Sequence, residues 1–129
     1  MAKGIELREA HFPGRAPIDA YGDGGFRFAE MSHRGSILCL PSGIHGWEPA
    51  SPPVLSRADL GLILEQVSDI EILLVGTGTD LRRIPEEVRA VLREHRISSD
   101  PMSTGAAVRT YNVLLAEDRA VAAALIAVD

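Results

Sequence analysis

The spacing of apolar and polar residues changes along the chain, and this change predicts two kinds of structure. Before residue 41, short apolar segments alternate with glycine-rich turns, as in a run of antiparallel strands. Gly22-Asp23-Gly24-Gly25 supplies the positive φ that a tight hairpin needs, and His33-Arg34-Gly35 is a second predicted turn. This region is therefore predicted to be a three-stranded β-meander, with strands at residues 18–21, 26–28 and 36–40.

Residues 41–53 form the most irregular stretch of the sequence, with prolines at positions 41, 49, 52 and 53 and glycines at positions 43 and 46. Structureless loops of this length are uncommon in compact domains and often carry function. We interpret this stretch as a loop. Trp47 either packs against the body of the protein and holds the loop in place, or it contributes to a surface that contacts a binding partner.

After residue 55, apolar residues recur at helical spacing. Ser56 is a predicted N-cap, and Ser103 or Thr104 is predicted to cap a later helix that runs to Ala116. Pro85 is compatible with the first turn of another helix, whose stripe ends at a partly buried His95. The helical stripes fall at residues 60–67, 84–95 and 104–116, and strands are predicted at 70–75, 96–98 and 121–128.

This order of elements predicts an α/β fold. Alternating β and α units imply parallel strands joined by crossover helices, whereas the meander is antiparallel. The expected architecture is three-layered, with one mixed sheet built from the N-terminal β-meander plus βαβαβ units. The strand at residues 70–75 is nearly all apolar, which is typical of a strand covered on both faces.

Composition narrows the class of protein. The 129 residues fit one domain, 1–129, and 46% hydrophobic residues suffice for a core without metal or disulfide. The single cysteine, Cys39, favours a reducing compartment, and the net charge of −5 disfavours nucleic acid as a partner. Residues 1–9 lack an apolar signal core, and the longest apolar run, 120–128, is too short to span a bilayer. We expect a soluble, cytoplasmic protein; peripheral membrane association and homo-oligomer formation stay open.

The most suggestive segment for chemistry is Gly76-Thr77-Gly78-Thr79, which follows the predicted central strand. Ligands of open α/β sheets bind beyond the carboxyl ends of such strands, and glycines there can expose backbone N–H groups. The dinucleotide fingerprint nevertheless fails, because its third glycine would fall at Leu81. The segment is either a tight structural turn or a ligand cradle.

The start of the last helix is a second candidate site. Ser103 and Thr104 at a helix N-terminus, with Arg109 one turn later, could bind an anion, although ordinary helix capping explains the same residues. If both segments lie on one edge of the sheet, they could share a pocket. The complete candidate set is Trp47, Gly76, Thr77, Gly78, Thr79, Ser103, Thr104 and Arg109.

Other reactive residue types indicate no chemistry. The four histidines lack metal-ligand spacing, and Cys39 is interpreted as a buried, inert thiol. We therefore predict no catalytic residue, metal or cofactor. The basic cluster of Arg82, Arg83, Arg89, Arg93 and Arg96 is interleaved with glutamates, which favours a solvated, ion-paired face.

Eight short motifs, in their order and spacing, resemble the Mth-type domain family, a domain of unknown function. They are Ala20-Tyr21-Gly22, Gly24-Gly25-Phe26-Arg27, Gly35-Ser36-Ile37-Leu38, Trp47, Ile70-Glu71-Ile72-Leu73-Leu74-Val75-Gly76-Thr77-Gly78, Met102-Ser103-Thr104, Arg109-Thr110-Tyr111-Asn112 and Ala122-Ala123-Ala124-Leu125-Ile126. The resemblance covers residues 16–128 and leaves 1–15 as an N-terminal extension. Ala127 departs from it, because relatives often carry proline there.

The resemblance implies a three-layer α/β fold with a mixed sheet and no established enzymatic activity. Members of the family include the mitochondrial respiratory complex I assembly factor 3 and the adipogenesis-associated Mth-domain protein. Our leading hypothesis is therefore a non-catalytic binding or assembly-factor-like protein, linked to a respiratory or membrane complex, whose protein partners are unidentified. The alternative is a binder of a small anion or nucleotide, or an uncharacterised enzyme, that uses Gly76-Thr77-Gly78 and the start of the last helix.

Overall fold

The structure, a computed structural model, describes residues 11–49 and 55–129. Within these ranges the polypeptide forms a six-stranded sheet, a separate three-stranded sheet and three α-helices. The strands are β1 (His11–Phe12), β2 (Ile18–Gly22), β3 (Gly25–Phe28), β4 (Met31–Arg34), β5 (Ser36–Leu40), β6 (Gly43–Trp47), β7 (Ile72–Gly76), β8 (Ser98–Met102) and β9 (Val121–Leu125). The helices are α1 (Gly61–Leu64), α2 (Glu86–Glu94) and α3 (Thr104–Ala116).

The six-stranded sheet is mixed. Its strand order is β1-β6-β5-β9-β7-β8. Strands β9, β7 and β8 are parallel to one another, and helices α2 and α3 make the crossovers that parallel pairing requires. Strands β5, β6 and β1 pair antiparallel, and β5 joins this half of the sheet to β9. The predicted α/β class with a mixed sheet is confirmed.

Apolar side chains fill the space on both faces of this sheet. On one face, α3 and the three-stranded sheet pack over a core that includes Leu74 and Tyr111. On the other face, α1 and α2 cover a core that includes Leu73 and Val88. Leu73 and Leu74 are 0% and 1% exposed, so β7 is covered on both faces, as its apolar sequence predicts.

The meander differs in detail from its prediction. Strands β2, β3 and β4 form a sheet of their own, and residues 36–40 belong instead to the large sheet as β5. His33 and Arg34, predicted to form a turn, lie in β4, where the His33 side chain is buried. The hairpin between β3 and β4 turns at Ala29 and Glu30, which both adopt positive φ (48° and 62°) without a glycine or asparagine to signal it.

The prediction of a loop over residues 41–53 is wrong for residues 43–47, which form β6 between β1 and β5. Gly43, at φ +141°, lies directly against the Phe12 carbonyl, where a Cβ atom would clash. The glycine therefore serves close strand packing and not a free loop. Trp47 ends this strand and is only 9% exposed, while the prolines at 52 and 53 lie outside the described residues.

Two other boundaries and the burial of one residue were wrong. The stripe at 60–67 is helical only at α1, with short 3₁₀ turns at Arg57–Leu60 and Val67–Asp69. Between α1 and the second of these turns, the Gln66 side chain bonds to Ser42. The strand predicted at 96–98 begins only at Ser98, because Arg96 adopts a left-handed φ of 63° as it ends α2. His95 is exposed and not partly buried. Of the predicted extension 1–15, residues 11–12 form β1, and residues 1–10 lie outside the described ranges.

Candidate functional site

The two candidate loops meet at the carboxyl end of the parallel strands. The Thr77 N–H donates to the Met102 carbonyl at 2.8 Å, and the Ile126 N–H donates to the Gly76 carbonyl at 3.0 Å. These bonds continue the pairing of β7 with β8 and β9 beyond the ends of the strands. The start of α3 is thereby held beside the loop that leaves β7, as expected for parallel strands whose carboxyl ends share one edge.

Thr104, the first residue of α3, closes this junction. Its hydroxyl donates to the Ile126 carbonyl at 2.7 Å and accepts from the Gly78 N–H at 3.0 Å. The Thr104 N–H in turn donates to the Gly78 carbonyl at 2.8 Å. The side chain is 0% exposed, so one buried hydroxyl ties together β7, β9 and α3.

Thr77 closes the loop that follows β7 in a similar way. Its buried hydroxyl lies 2.7 Å from the Asp80 carbonyl and 3.1 Å from the Met102 carbonyl, and it accepts from the Arg82 N–H at 3.0 Å. Because a hydroxyl carries one proton, the two carbonyls share a single donor. The loop from Thr77 to Arg82 is therefore organised around its own first side chain.

Both glycines of the loop have structural reasons to be glycine. A Cβ atom on Gly76 would lie 3.0 Å from the Thr104 Cα and 3.0 Å from the Leu125 Cδ2, so α3 and β9 approach β7 too closely for a side chain. Gly78 adopts a φ of +101°, which L-residues with side chains rarely tolerate. Together with the occupied Gly78 N–H, these features describe a closed turn, and an anion could reach that N–H only by displacing the Thr104 hydroxyl.

The remaining predicted site residues surround this junction or lie apart from it. Ser103 caps α3 by accepting from the Ala106 N–H at 3.3 Å, whereas Thr79 and Arg109 are exposed. Trp47 lies at the same end of the sheet but on β6, and its indole N–H donates to the Asp59 carboxylate at 3.2 Å. The Ser36 hydroxyl, next to Trp47 in the strand register, accepts from the Ala127 N–H at 2.9 Å.

Trp47 also borders a surface cavity of about 520 Å³. The cavity is lined by residues of β4, β5 and β6 and of the chain that follows β6, namely His33, Arg34, Gly35, Ser36, Gly46, Trp47, Glu48 and Pro49. The cavity lies at the same end of the sheet as the Thr104 junction. The Trp47 ring forms a wall of the cavity and is otherwise packed into the core.

Two exposed apolar residues beside the junction were not among the sequence candidates. Leu81, in the loop after β7, is 66% exposed, and Tyr21, at the end of β2, is 42% exposed. The Tyr21 hydroxyl lies against Gly105 in the first turn of α3. Leu81 stands out in the sequence as an apolar residue inside a polar turn, but Tyr21 reaches α3 only through the tertiary fold.

Cys39 is buried beneath α3, where its sulfur is hydrogen-bonded to the Tyr111 hydroxyl. Burial raises the pKa of the Cys39 thiol far above its ordinary value, and burial likewise raises the pKa of the Tyr111 hydroxyl. The thiol therefore stays protonated and unreactive, as predicted.

Across residues 11–49 and 55–129, no cluster of three or more His, Cys, Asp or Glu side chains could hold a metal ion. Among the helices of those residues, none has the length and apolar character needed to cross a membrane.

Comparison with known sequences identifies relatives over most of the chain. Residues 18–126 match the model of a family described as "Protein of unknown function (DUF498/DUF598)". An uncharacterized protein of Rhodobacter capsulatus is 40% identical over 119 residues, which cover 92% of this chain and 90% of that protein. The mouse protein named NADH dehydrogenase [ubiquinone] 1 alpha subcomplex assembly factor 3 is 30% identical over 122 residues, 95% of this chain. This chain spans 66% of the mouse protein's length.

Solved structures share the fold. A Bartonella henselae protein, described as an outer membrane protein, is 67% identical and has a TM-score of 0.89, with 92% of this chain and 100% of that chain covered. A Bordetella pertussis protein, described as a Mth938-like domain, is 27% identical with a TM-score of 0.70, with 87% of this chain and 85% of that chain covered. The chain therefore belongs to the DUF498/DUF598 family, the Mth-type domain family that its motifs resemble.

Proposed function

We propose that this protein is a non-catalytic, protein-binding module that assists the assembly of a respiratory or membrane complex. The observation that carries the proposal is the closed junction at the sheet edge. The polar atoms that a ligand would use there, the Gly78 N–H and the Thr104 hydroxyl, bond to each other. The edge is therefore built as a rigid support for the surface around it.

The exposed side chains around the junction suit contact with another protein. Leu81 and Tyr21 present apolar surface, and Arg109 and Thr79 add polar groups at the same end of α3. Tyrosine and arginine are enriched among the energetically important residues of protein interfaces, and an exposed leucine adds apolar area that a partner can bury. In the proposed mechanism, this surface covers an apolar region that a partner exposes before it is assembled.

The relatives support the same proposal. The mouse relative carries the name of an assembly factor, and the human protein of the same name is 30% identical over 109 residues. A shared fold does not by itself transfer a function, so the proposal needs its own test. A cytoplasmic location is part of the proposal, and the single, unpaired Cys39 supports it because disulfides are rare in reducing compartments.

The test is quantitative affinity capture of binding partners from cells of the source organism. Leu81→Asp places a charge in the centre of the proposed surface, and because Leu81 is 66% exposed this substitution leaves the core intact. Ala116→Asp, at the exposed end of α3, is the matched control for added charge. We expect wild type and Ala116→Asp to retain the same specific partner and Leu81→Asp to lose it by at least about tenfold, as for an interface hot spot.

Two results would contradict the proposal: no specific partner for the wild type, or equal recovery by Leu81→Asp. The alternative function, binding of a small anion or nucleotide at Gly76-Thr77-Gly78 with Ser103, Thr104 and Arg109, has its own measurement. In a thermal-shift screen of phosphates, nucleotides and carboxylates, a true ligand at a hundredfold excess over its dissociation constant stabilises the protein by about 2.7 kcal/mol. A ligand shift that Arg109→Gln abolishes would favour the alternative, because Arg109 is the charged and exposed residue of that candidate site.

A further inference from the structure

A basic groove runs along α2 beside the edge strand β8, away from the Thr104 junction. It consists of two adjoining cavities of about 350 and 400 Å³, and Arg89 lines both of them. The first cavity is lined by Arg89, Arg93, Arg96, Ile97, Ser98 and Ser99. The second continues towards the start of α2 and is lined by Arg83, Ile84, Pro85, Glu86, Arg89 and Pro101.

Three guanidinium groups dominate the first cavity. Arg89 and Arg93 lie one turn apart on α2, and Arg96, which follows the end of the helix with a φ of 63°, lines the same cavity. No carboxylate lines this cavity, although the whole chain carries a net charge of −5. The first cavity is thus a local concentration of positive charge on an acidic protein, whereas Glu86 lines the second cavity.

The cluster is less ion-paired than its sequence indicates. Arg93 contacts Glu86 at 3.2 Å, but both side chains are well exposed and such pairs contribute little. In the part of the chain that the structure describes, the Arg89 and Arg96 side chains have no hydrogen-bond or ion-pair partner. At least two guanidinium groups are therefore available to a ligand in this part of the chain.

Strand β8 lies along the groove, and its outer edge is unsuited to pairing with an added strand. The Ser98 N–H and the Met102 carbonyl bond towards β7, so the alternate residues Ser99 and Pro101 direct their backbone outward. Pro101 has no N–H to donate, which is how edge strands resist further pairing. A ligand of this groove is therefore held by side chains, and Ser99 lies on the face of β8 that α2 covers.

The spacing of the charges matches a polypeptide. Arg89 and Arg93 are separated by about 6 Å along the helix axis. Carboxylates on alternate residues of an extended segment are about 7 Å apart. No aromatic ring lines either cavity, although stacking on aromatic rings is the usual means of holding single-stranded nucleic acid. The surface is a groove and not the flat basic face that suits a bilayer.

We infer that this groove binds an extended acidic segment of a partner protein through charge-assisted hydrogen bonds from Arg89, Arg93 and Arg96. The inference rests on the proposed protein-binding function but concerns a different surface. Because its test uses purified components, it can fail while the Leu81 surface still captures a partner, and the reverse also holds.

The test measures fluorescence anisotropy of a labelled decapeptide that alternates Glu and Ser, in about 50 mM salt where exposed charges are only partly screened. The triple substitution Arg89→Gln, Arg93→Gln and Arg96→Gln removes the proposed contacts. The matched control, Arg34→Gln, Arg57→Gln and Arg119→Gln, removes the same charge from exposed residues elsewhere. We expect at least about tenfold weaker binding for the first variant and less than about twofold for the control.

Further arms identify the chemistry of the ligand. A decapeptide that alternates Gln and Ser is expected not to bind, and replacement of the three groove arginines by lysine is expected to weaken binding about threefold, because the charge remains but the planar fork is lost. Equal losses in both glutamine variants, or binding of the Gln-containing peptide, would overturn the inference. Tighter binding of inorganic phosphate, of a thymidine decanucleotide or of phosphatidylcholine vesicles with about 30% phosphatidylserine would also overturn it, in favour of that ligand.

Discussion

Replacement of Thr104 by valine tests the closed junction directly, because valine has nearly the same shape and lacks only the hydroxyl. The substitution leaves the buried Gly78 N–H and the half-buried Ile126 carbonyl without their partner. An unsatisfied buried polar group costs about 1–3 kcal/mol. We assign about 2 kcal/mol to the Gly78 N–H and about 1 kcal/mol to the more accessible carbonyl, and the added methyl group offsets less than about 1 kcal/mol. The expected loss is therefore about 2–3 kcal/mol.

Equilibrium unfolding in urea measures this loss. With a slope of about 1–3 kcal/mol/M, a loss of about 2–3 kcal/mol should lower the urea midpoint of Thr104→Val by about 0.7–3 M. Thr104→Ser is the control, because it keeps the hydroxyl and gives up one methyl group, worth about 1 kcal/mol. If hydrophobic packing alone held Thr104 in place, valine would be at least as stable as serine. That order of stabilities would refute the hydrogen-bonded closure described above.

Three more results are expected. Gly76→Ala should destabilise the protein by about 1–3 kcal/mol, because the new methyl group overpacks the contact with α3 and β9. Gly61→Ala, with no atom within 4 Å of the new Cβ, should instead stabilise it by about 0.4–1 kcal/mol. Comparable effects of the two substitutions would contradict the packing argument. Asn112→Asp should cost about 1–3 kcal/mol in urea unfolding, because it keeps the bond from the Ile18 N–H but loses the one to the Ile18 carbonyl. Because burial raises the folded-state pKa of Cys39, its contribution to stability is complete below the unfolded pKa of about 9.0 and is lost as pH rises further, by about 1.4 kcal/mol per pH unit. Burial of Tyr111 adds the same effect above its unfolded pKa of about 10.0, so Cys39→Ala should remove the slope between these two values, and an unchanged slope there would contradict the assignment.

Elements with a long or uniform pattern could be predicted from sequence. The predicted helix start and end at Ser103 or Thr104 and at Ala116 agree with α3, and the apolar run 70–75 identifies β7 to within two residues. Strands β4 and β6 were missed for specific reasons. A hairpin that turns on Ala29 and Glu30 carries no turn signal, and the glycines of β6 serve close backbone packing that only the folded sheet creates.

The sequence predicted where the candidate site lies in the fold, but it did not predict the hydrogen bonds that form there. The rule for parallel sheets indicates that the loop after β7 and the start of α3 share an edge. It does not indicate that the Thr104 hydroxyl reaches Gly78, because that bond spans 26 positions of the chain. Trp47 was predicted as part of an irregular loop, yet its ring packs into the core beside Asp59.

Strand β9 follows all other described strands in the chain, yet it lies between β5 and β7. The antiparallel and parallel halves of the large sheet are joined only through its two ladders. During synthesis on the ribosome, the backbone groups of β5 and β7 that pair with β9 therefore stay unpaired until residues 121–125 emerge. Pairings that bridge so much chain form slowly, so unpaired strand edges stay exposed for longer while this fold is completed.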